Sequence, residues 1–519
     1  MAGRRKRIVL YSPQLADRSR GHTSAKDILP LSLLTIAGWP LRDGYEIEII
    51  DGSLYPQEEA HRRVLAACEG ALLYGTTGIL SYQVADGFLC SRRVRARFPD
   101  LAMVIGGWFA SVAPELQLET GLYDAVALGQ GEITFRELVR AVDAGEPLDS
   151  VAGLALRREG RVVLTEHRPV VGWDHLLNCP WHLLDFDEYR AQQLRPGPHR
   201  HLANQPRPSM TSRFSNLVGM TYFSSFGCPE PCAFCCSPEV TGRRWKAMPA
   251  ERMADDLQEI TSRWKVDVVL VHDANFGVSE KRARAFARAK IERGLPFQWY
   301  TTLQSHSVLT YAPETLDLMA ESGLFSANIG AETGSEEMMP VIGKRMRGDD
   351  NLRAAAELDG RGIKIWMTYI IGYPDESEES MLATLDQARR IRASYPNAHP
   401  AVWPFQPIPG TPMHRRALEL GWRPPATLLE WGDFDNYHTC TTWPGRISAR
   451  VLRRRALFQH YATLSHGIVR GRIGWWERRA RQRLRNGSWR LARLEAKAFD
   501  LFQRLAGEGA ASTRTVSDQ

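Results

Sequence analysis

The segment Cys228-Pro-Glu-Pro-Cys232-Ala-Phe234-Cys235, near the middle of the 519-residue chain, decides how the rest of the sequence is interpreted. Its three cysteines follow a C-x3-C-x2-C spacing, which suits three thiolates that face one small inorganic cluster. The prolines between them restrict the backbone and lower the entropic cost of holding the ligands in place. A [4Fe-4S] cluster normally takes four ligands, so three cysteines leave one iron open to bind another molecule.

Two other interpretations of these cysteines are weaker. A zinc site would also use cysteine ligands, but it needs a fourth ligand nearby, and we expect Cys236 to point its side chain away from that of Cys235. A disulfide framework is typical of small secreted chains, whereas this chain is long and shows no secretion signal. Of the eight cysteines, only the central four lie close together, which fits a reducing compartment and one metal centre.

The cysteine spacing resembles that of the radical SAM superfamily, in which S-adenosylmethionine (SAM) chelates the open iron. The resemblance implies that Cys228, Cys232 and Cys235 bind a [4Fe-4S] cluster. It also implies that one-electron reduction of the bound SAM releases methionine and a 5′-deoxyadenosyl radical. The electron would come from a donor protein such as a flavodoxin or ferredoxin.

The residues after the cysteines alternate between strand and helix patterns. A strand over 220–226 is predicted to deliver the cysteine loop, and five further strands are predicted over 266–272, 297–303, 325–331, 364–371 and 401–406. About six βα units fit the partial (βα)6 TIM barrel of radical SAM enzymes, whose active site lies at the carboxyl ends of the strands. We therefore predict a Pro-rich linker over 191–215, the barrel over 216–430, and a helical C-terminal segment with a disordered tail over 431–519.

Polar and small residues at the ends of these strands are candidates for contacts with SAM. Any one of them is unremarkable, because polar residues normally follow strands, and a salt bridge at the barrel rim is the alternative role for Glu332. Taken with the cysteines, they resemble the SAM contacts of the family. The resemblance implies that Glu332 hydrogen-bonds SAM and that Gly372 allows close approach of the adenine. The predicted set is Phe234, Asp273, Glu332, Ser335, Gly372 and Gln406.

The first domain, predicted over residues 1–190, has the βαβ alternation of a doubly wound parallel sheet. Its strands are predicted over 7–12, 46–51, 71–77, 101–106 and 125–128. In this architecture ligands sit beyond the carboxyl ends of the strands, but no GxGxxG dinucleotide fingerprint follows the first strand. The small or polar residues at the strand ends are Ser12, Gly52, Ser53, Thr76, Thr77, Gly106, Gly107, Gly129, Gly131 and Glu132.

The order of these pieces resembles the cobalamin-binding domain that precedes the barrel in the B12-binding radical SAM family. The matching pieces are Pro30-Leu-Ser-Leu33, the strand ending in Asp51, Gly106-Gly107 followed by Pro114-Glu115, and Asp124 leading into Gly129-Gln-Gly-Glu132. The resemblance implies that the strand-end residues bind cobalamin. No Asp-x-His-x-x-Gly segment is present, so no histidine on cobalt is expected, and Trp108-Phe109 stand where relatives often have Pro-His. A flavodoxin-like domain without this cofactor is the alternative.

Together the two resemblances imply a cobalamin-dependent radical SAM enzyme. The leading interpretation is a methyltransferase acting on an unactivated carbon or phosphorus of a small-molecule or lipid substrate, with cobalamin passing on a methyl group from a second SAM. A BchE-like ring-forming oxidase without net methylation is the first alternative, and a cobalamin-binding sensor is an alternative of another class. A tRNA methylthiotransferase is disfavoured because the first domain lacks a second cysteine triad.

The C-terminal segment is rich in arginine and tryptophan, a pattern typical of basic amphipathic helices. A helical cap over the barrel with a solvated basic face is the favoured interpretation, followed by contact with an anionic membrane surface. Basic helices with tryptophans can also contact RNA phosphates, but a nucleic-acid partner is not expected. The formal charge of +7 is mild, and its distribution matters more than its size. No apolar run is long enough to span a bilayer, so we expect a cytoplasmic protein, with peripheral membrane association as an option.

Overall fold

The computed structural model describes residues 6–17, 28–195, 217–434, 447–465 and 474–505, without the side chains of residues 500 and 502–505. Most of the predicted linker and the predicted disordered tail lie outside these ranges. Among the described residues, no helix is long and apolar enough to cross a membrane.

The first sheet has seven strands in the order β2-β1-β3-β4-β5-β6-β7. Its first five strands are parallel, as the sequence predicts. The last two strands form an antiparallel hairpin at the sheet edge, and this hairpin was not predicted from the sequence. The strands are β1 (Arg7–Ser12), β2 (Glu46–Asp51), β3 (Leu73–Thr77), β4 (Ala102–Gly106), β5 (Ala125–Ala127), β6 (Leu154–Arg158) and β7 (Arg161–Leu164).

Helices cover both faces of this sheet, and their apolar sides form two separate cores. The α1 and α6 helices pack on one face, while α2 and α3 pack on the other. The helices of this part of the chain are α1 (Leu31–Arg42), α2 (Gln57–Ala67), α3 (Tyr82–Arg97), α4 (Trp108–Val112), α5 (Pro114–Leu118), α6 (Gly131–Ala144) and α7 (Phe186–Leu194).

The second sheet has six parallel strands in the order β15-β14-β13-β12-β11-β8, which is the predicted partial barrel. A small antiparallel pair, β9 with β10, flanks the cysteine loop. The strands are β8 (Gly219–Tyr222), β9 (Ser225–Gly227), β10 (Trp245–Ala247), β11 (Val268–Val271), β12 (Gln298–Leu303), β13 (Leu324–Glu332), β14 (Lys364–Ile371) and β15 (Ala398–Pro404).

The helices after the cysteine loop surround the barrel, and most share its large core. They are α8 (Ser237–Thr241), α9 (Ala250–Trp264), α10 (Glu280–Glu292), α11 (Ser305–Thr310), α12 (Pro313–Glu321), α13 (Met338–Val341), α14 (Asp350–Gly360), α15 (Glu378–Ser394), α16 (Pro412–Glu419), α17 (Leu428–Gly432), α18 (Ala449–Leu464), α19 (Gly474–Asn486) and α20 (Ala492–Leu505). Short 3-10 turns occur at Gly52–Leu54, Leu148–Ser150, Trp173–His175, Trp181–Leu183 and Phe276–Val278.

A six-stranded open barrel has two free strand edges, and a helix covers each of them. At β8, the side-chain amide of Gln193 donates to the Gly219 carbonyl at 2.9 Å and accepts from the Gly219 N–H at 2.8 Å. At β15, Arg455 and Gln459 of α18 donate to the Val402 carbonyl at 2.7 and 3.3 Å. The C-terminal segment therefore caps the barrel, which was the favoured interpretation of its sequence.

The carboxyl ends of the two sheets face each other. A Cβ at Gly432 of α17 would overlap the side chain of Ala85 in α3, so the two helices meet with almost no gap. A shared apolar cluster joins residues of the first domain, such as Phe109, to barrel residues such as Phe405. The ends where ligands bind in both architectures thus meet at one interface.

Candidate functional site

The cysteine loop is held by backbone contacts on both sides. It begins after β9, where Gly227 has a φ of +83° and a Cβ would overlap the carbonyl of Arg244. Within the loop, Ala233 donates its N–H to Ile342 and accepts from the N–H of Met413. These contacts fix the path of the loop between the segment after α13 and the start of α16.

The three cysteines of the motif are brought together in this loop. Cys228 and Cys232 are buried, at 8% and 7% exposure, and Cys235 is half-buried. Burial raises the pKa of the Cys228 thiol and raises that of Cys232 to about 12. The thiols are therefore protonated before iron binds, and cluster loading must displace their protons.

The orientation predicted for Cys236 is wrong. Its thiol is hydrogen-bonded to that of Cys235, which raises the pKa of Cys235 and lowers that of Cys236. The tight turn that leads into α8 brings the two sulfurs together. Among the described residues, no group of three His, Cys, Asp or Glu side chains is arranged to hold a single metal ion. A [4Fe-4S] cluster does not need such a group, because each thiolate binds a different iron.

Asp273 orders the backbone that leads to the cysteines. Its carboxylate is 1% exposed and accepts hydrogen bonds from the N–H groups of Ser224 and Ser225 and from the Ser224 hydroxyl, at 2.7–3.0 Å. Residues 223 and 224 therefore leave the sheet, and the single strand predicted over 220–226 is two strands, β8 and β9. The described contacts of Asp273 hold the backbone at Ser224 and Ser225, and its contact with SAM stays a prediction.

Glu332 lies at the end of β13 in a strained conformation. Its φ is +61°, in the left-handed region that disfavours non-glycine residues, and the pairing with β14 shifts register beside it. The residue is 9% exposed, and burial raises the pKa of its carboxyl group although Lys344 opposes the effect. A buried, strained acidic residue at a strand end is typical of a functional site.

Lys344 lies in the candidate site and was not predicted from the sequence. Its side chain is buried, lies 3.7 Å from Glu332 Oε1 and donates to Gln304 Oε1 at 3.3 Å. Burial alone would lower the pKa of Lys344, but the nearby Glu332 carboxylate raises it above its ordinary value, so the side chain is an ammonium. A single lysine after a short helix carries no signal in the sequence, because its partners come from distant segments.

Aromatic rings surround the other side of the loop. The Tyr373 ring lies 5.7 Å from Phe234 and 5.4 Å from Phe405, measured between centroids. The Tyr373 hydroxyl is buried and makes no hydrogen bond within the described part of the chain. Phe234 packs on Tyr373, and its predicted contact with SAM stays a prediction. The unsatisfied Tyr373 hydroxyl marks a place where a ligand can donate or accept a hydrogen bond.

The remaining predicted SAM residues lie along the same rim. Gly372 has a φ of +81°, and a Cβ there would come within 2.6 Å of the Ile447 side chain. Glu376 holds this turn by accepting the N–H groups of Gly372 and Tyr373. Ser335 is buried after β13, and Gln406 is half-buried after β15.

The predicted cobalamin residues lie at the carboxyl edge of the first sheet. A Cβ at Gly107 would lie 2.7 Å from Thr77 Oγ1 within the first domain. A Cβ at Gly129 would lie 3.4 Å from the backbone oxygen of Val240 in α8, which follows the cysteines. A Cβ at Gly52 would crowd Tyr11, and a Cβ at Gly131 would crowd Ile36. Packing within the first domain therefore favours glycine at both positions. Ser12, Ser53, Thr76 and Thr77 are buried beneath this edge, Gly106 and Glu132 are half-buried, and burial raises the pKa of Glu132.

Trp108 joins this edge to the cysteine loop. Its ring stacks on Phe226 with a centroid distance of 6.2 Å, and Phe226 is two residues before Cys228. The α4 helix that begins at Trp108 also contacts α8, which follows the cysteines. The two predicted cofactor sites therefore adjoin.

Comparisons with known proteins agree with this arrangement. Residues 222–388 match the family model described as the Radical SAM superfamily. An uncharacterized methyltransferase of Pyrococcus horikoshii is 26% identical over 407 residues, which are 77% of this chain and 82% of that protein. The anaerobic magnesium-protoporphyrin IX monomethyl ester cyclase of a Synechocystis species is 22% identical over 385 residues, covering 73% of this chain and 71% of the cyclase.

Among solved structures, the methyltransferase TsrM from Kitasatospora setae, with cobalamin and a [4Fe-4S] cluster bound, superposes with a TM-score of 0.64. The match has 16% identity and covers 93% of this chain and all of that one, so the whole domain order is shared. Residues 222–388, which include the cysteine loop, thus match the Radical SAM superfamily, and the chain has the fold of the TsrM structure.

Proposed function

We propose that the chain is a cobalamin-dependent methyltransferase acting on an unactivated carbon or phosphorus of a small-molecule or lipid substrate. The observation that supports this most directly is the contact between the carboxyl edge of the first sheet and the cysteine loop. Gly129 lies against Val240 there, and Trp108 stacks on Phe226. A cofactor on that edge and a cluster in the loop would face a common space. The TsrM structure, which contains both groups, has this fold.

Each part of the site then has a positional role. Cys228, Cys232 and Cys235 would bind the cluster, and the rim around Glu332 would bind SAM. When bound, the reduced cluster and SAM supply a 5′-deoxyadenosyl radical, and cobalamin supplies a methyl group. The protein holds the reactants in place and excludes water and oxygen, while an external donor such as a flavodoxin or ferredoxin provides the electron.

The individual contacts are part of the proposal. The proposed SAM contacts are Phe234, Asp273, Glu332, Ser335, Gly372 and Gln406, and the proposed cobalamin contacts are Ser12, Gly52, Ser53, Thr76, Thr77, Gly106, Gly107, Gly129, Gly131 and Glu132. The division into residues 1–190, 191–215, 216–430 and 431–519 is likewise proposed. Residues 173–189, which this division gives to the first domain, include side chains that pack in the barrel core.

A ring-forming oxidase is the second candidate, and one observation favours it. The cyclase of Synechocystis resembles this chain over nearly the same share of its length as the methyltransferase of Pyrococcus does. The two activities leave different by-products, since methyl transfer converts SAM to S-adenosylhomocysteine and oxidative cyclisation does not. The products, rather than the fold, separate the candidates.

Cofactor loading tests the assignment of the site. Anaerobic reconstitution with iron, sulfide and cobalamin is followed by iron analysis and by the visible spectrum of the protein. We expect Cys228→Ala, Cys232→Ala and Cys235→Ala each to lose the cluster but keep cobalamin, while Cys236→Ala keeps both. A cluster that survives all three single changes would contradict the assignment.

We also propose a peripheral contact with anionic membranes through α19 and α20. Trp475, Leu491 and Leu494 are 54–64% exposed there and lie among the exposed side chains of Arg490 and Arg493. Apolar side chains within a basic surface are typical of interfacial helices. The full-length protein should co-sediment with vesicles containing anionic lipid and not with neutral vesicles. Leu491→Ser with Leu494→Ser should weaken that binding, and an unchanged affinity would contradict the proposal.

A further inference from the structure

Exposed basic side chains flank the cysteine loop on its outer side. Arg243, Arg244 and Lys246 lie where the chain returns from the loop and α8 into β10, and all three are exposed. Arg345, also exposed, follows α13. None of these four side chains forms an ion pair with another residue that the structure describes. We call the four residues the basic surface.

Both basic segments contact the cysteine loop. Arg243 Nε donates to the Pro229 carbonyl at 3.3 Å, and Gly343, two residues before Arg345, lies against Pro231. Pro229 and Pro231 are only half-buried. The basic surface therefore lies where the loop between Cys228 and Cys232 reaches the outside of the molecule.

The backbone at Arg243 favours a functional role for its side chain. Its φ is +58°, in the left-handed region that disfavours residues with a side chain. Gly242, just before it, has a φ of +57°. An arginine at a position that suits glycine is a local strain, and such strain is typical of binding sites.

The acidic residues of these segments do not neutralise the basic surface. The charge of Glu230 acts on buried Lys344. The exposed acidic residues of the same segments form no ion pair with the basic surface in the described ranges; they are Glu239, Glu336 and Glu337. The four cations are thus available to a partner, and a positive surface selects a partner that is acidic.

The position of the surface indicates what this partner supplies. The proposed cluster needs an electron from outside the chain, and electron transfer weakens steeply with distance, so a donor must dock close to the cysteine loop. We propose that the basic surface docks a small acidic electron-transfer protein. One electron leaves the redox group of the donor and reduces the cluster, and no bond forms or breaks. This inference rests on the proposed function and adds the face on which the donor binds.

Two charge-reversal variants test the inference. The first is Arg244→Glu with Lys246→Glu, which leaves Arg243 and its contact with Pro229 in place. The control is Arg157→Glu with Arg161→Glu, because these two arginines are equally exposed on the β6–β7 hairpin at the edge of the first sheet. Both variants change the net charge by the same amount, and iron analysis shows that each is loaded with the cluster.

Reduced flavodoxin is the probe, and photoreduced deazaflavin is a small uncharged reductant that needs no docking surface. Binding of flavodoxin is measured by calorimetry, and reduction of the cluster is followed by its visible absorption. We expect the Arg244/Lys246 variant to weaken flavodoxin binding and to slow flavodoxin-driven reduction by roughly tenfold or more at low salt. The difference should shrink as salt screens the charges. Deazaflavin should reduce all proteins at one rate, and the control should match wild type.

Unchanged flavodoxin binding in the Arg244/Lys246 variant, or an equal loss in the control, would overturn the inference. Slower reduction by deazaflavin as well would show a disturbed cluster and would also overturn it. Binding of RNA or anionic vesicles that is lost in this variant, with flavodoxin binding unchanged, would assign the surface to another partner and overturn it. A wild-type protein that holds no cluster would instead overturn the proposed function, so the two failures are distinguished.

Discussion

Gly343 lies directly against Pro231, so close that a Cβ at position 343 would overlap the Pro231 carbonyl oxygen. This contact joins the segment after α13 to the loop that carries Cys232. Gly343 has a φ of +79°, which is a second reason for glycine at this position. A residue with a side chain in this left-handed conformation costs roughly 1–2 kcal/mol. The shape of the cysteine loop is therefore set in part by a residue outside the motif.

Replacing Gly343 with alanine should impair cluster binding. The added methyl group must push the loop away from the segment after α13, which moves Cys232 relative to the other two cysteines. We expect the iron content after reconstitution to fall well below that of wild type. Gly360→Ala is the control, since a Cβ at that helix end meets nothing within 4 Å. Full iron content in Gly343→Ala would show that the loop tolerates the shift.

Replacing Gly330 with alanine should weaken SAM binding and leave the cluster intact. A Cβ at this position would overlap Glu332 Oε1, which sits at the end of a flexible side chain and must swing away. The variant should therefore match Glu332→Gln in a SAM titration, with normal iron content in both. If Gly330→Ala binds SAM as wild type does, the placement of the Glu332 carboxylate is not important for binding.

The amide of Gln193 should contribute measurably to stability. Leucine at this position would leave the buried N–H and C=O of Gly219 without partners, at a cost of about 1–3 kcal/mol. We expect a lower denaturation midpoint and faster hydrogen exchange at the Gly219 amide. Gln192→Leu, at the neighbouring half-buried position, is the control and should change the exchange of Gly219 little. Unchanged exchange in Gln193→Leu would mean that water satisfies this edge.

The C-terminal helices should lose stability in acid. Burial raises the pKa of Glu495, but hydrogen bonds from Arg483 and Arg479 outweigh it and lower the pKa to about 2. A depressed carboxyl pKa stabilises the fold above the ordinary pKa of the group, and the effect disappears as the pH falls toward about 2. The stability difference between wild type and Glu495→Gln should therefore shrink with acidification. A difference independent of pH would contradict the ion pair.

The sequence predicted the two parallel sheets because their strands are buried on both faces and read as short apolar runs. The cysteine site was also predictable from a local pattern, because all three cysteines lie within one eight-residue segment. The β6–β7 hairpin was missed because its strands are short and arginines flank the Glu159-Gly160 turn on both sides.

What the sequence could not predict depends on contacts between distant segments. The strand break at Ser224 follows from hydrogen bonds to Asp273, and the site position of Lys344 follows from the path of the loop around Gly343. The orientation of Cys236 depends on the turn into α8. In each case the local pattern is compatible with several structures, and tertiary contacts select one.

The most direct test of methyl transfer measures two products in one experiment. Anaerobically reconstituted protein is incubated with reductant and SAM, with and without cobalamin, and 5′-deoxyadenosine and S-adenosylhomocysteine are quantified together by mass spectrometry. Cys232→Ala provides the background. We predict that both products form and that S-adenosylhomocysteine requires cobalamin. Formation of 5′-deoxyadenosine alone would contradict methyl transfer and support the ring-forming reaction. The absence of both products with an intact cluster would contradict methyl transfer and favour the cobalamin-binding sensor.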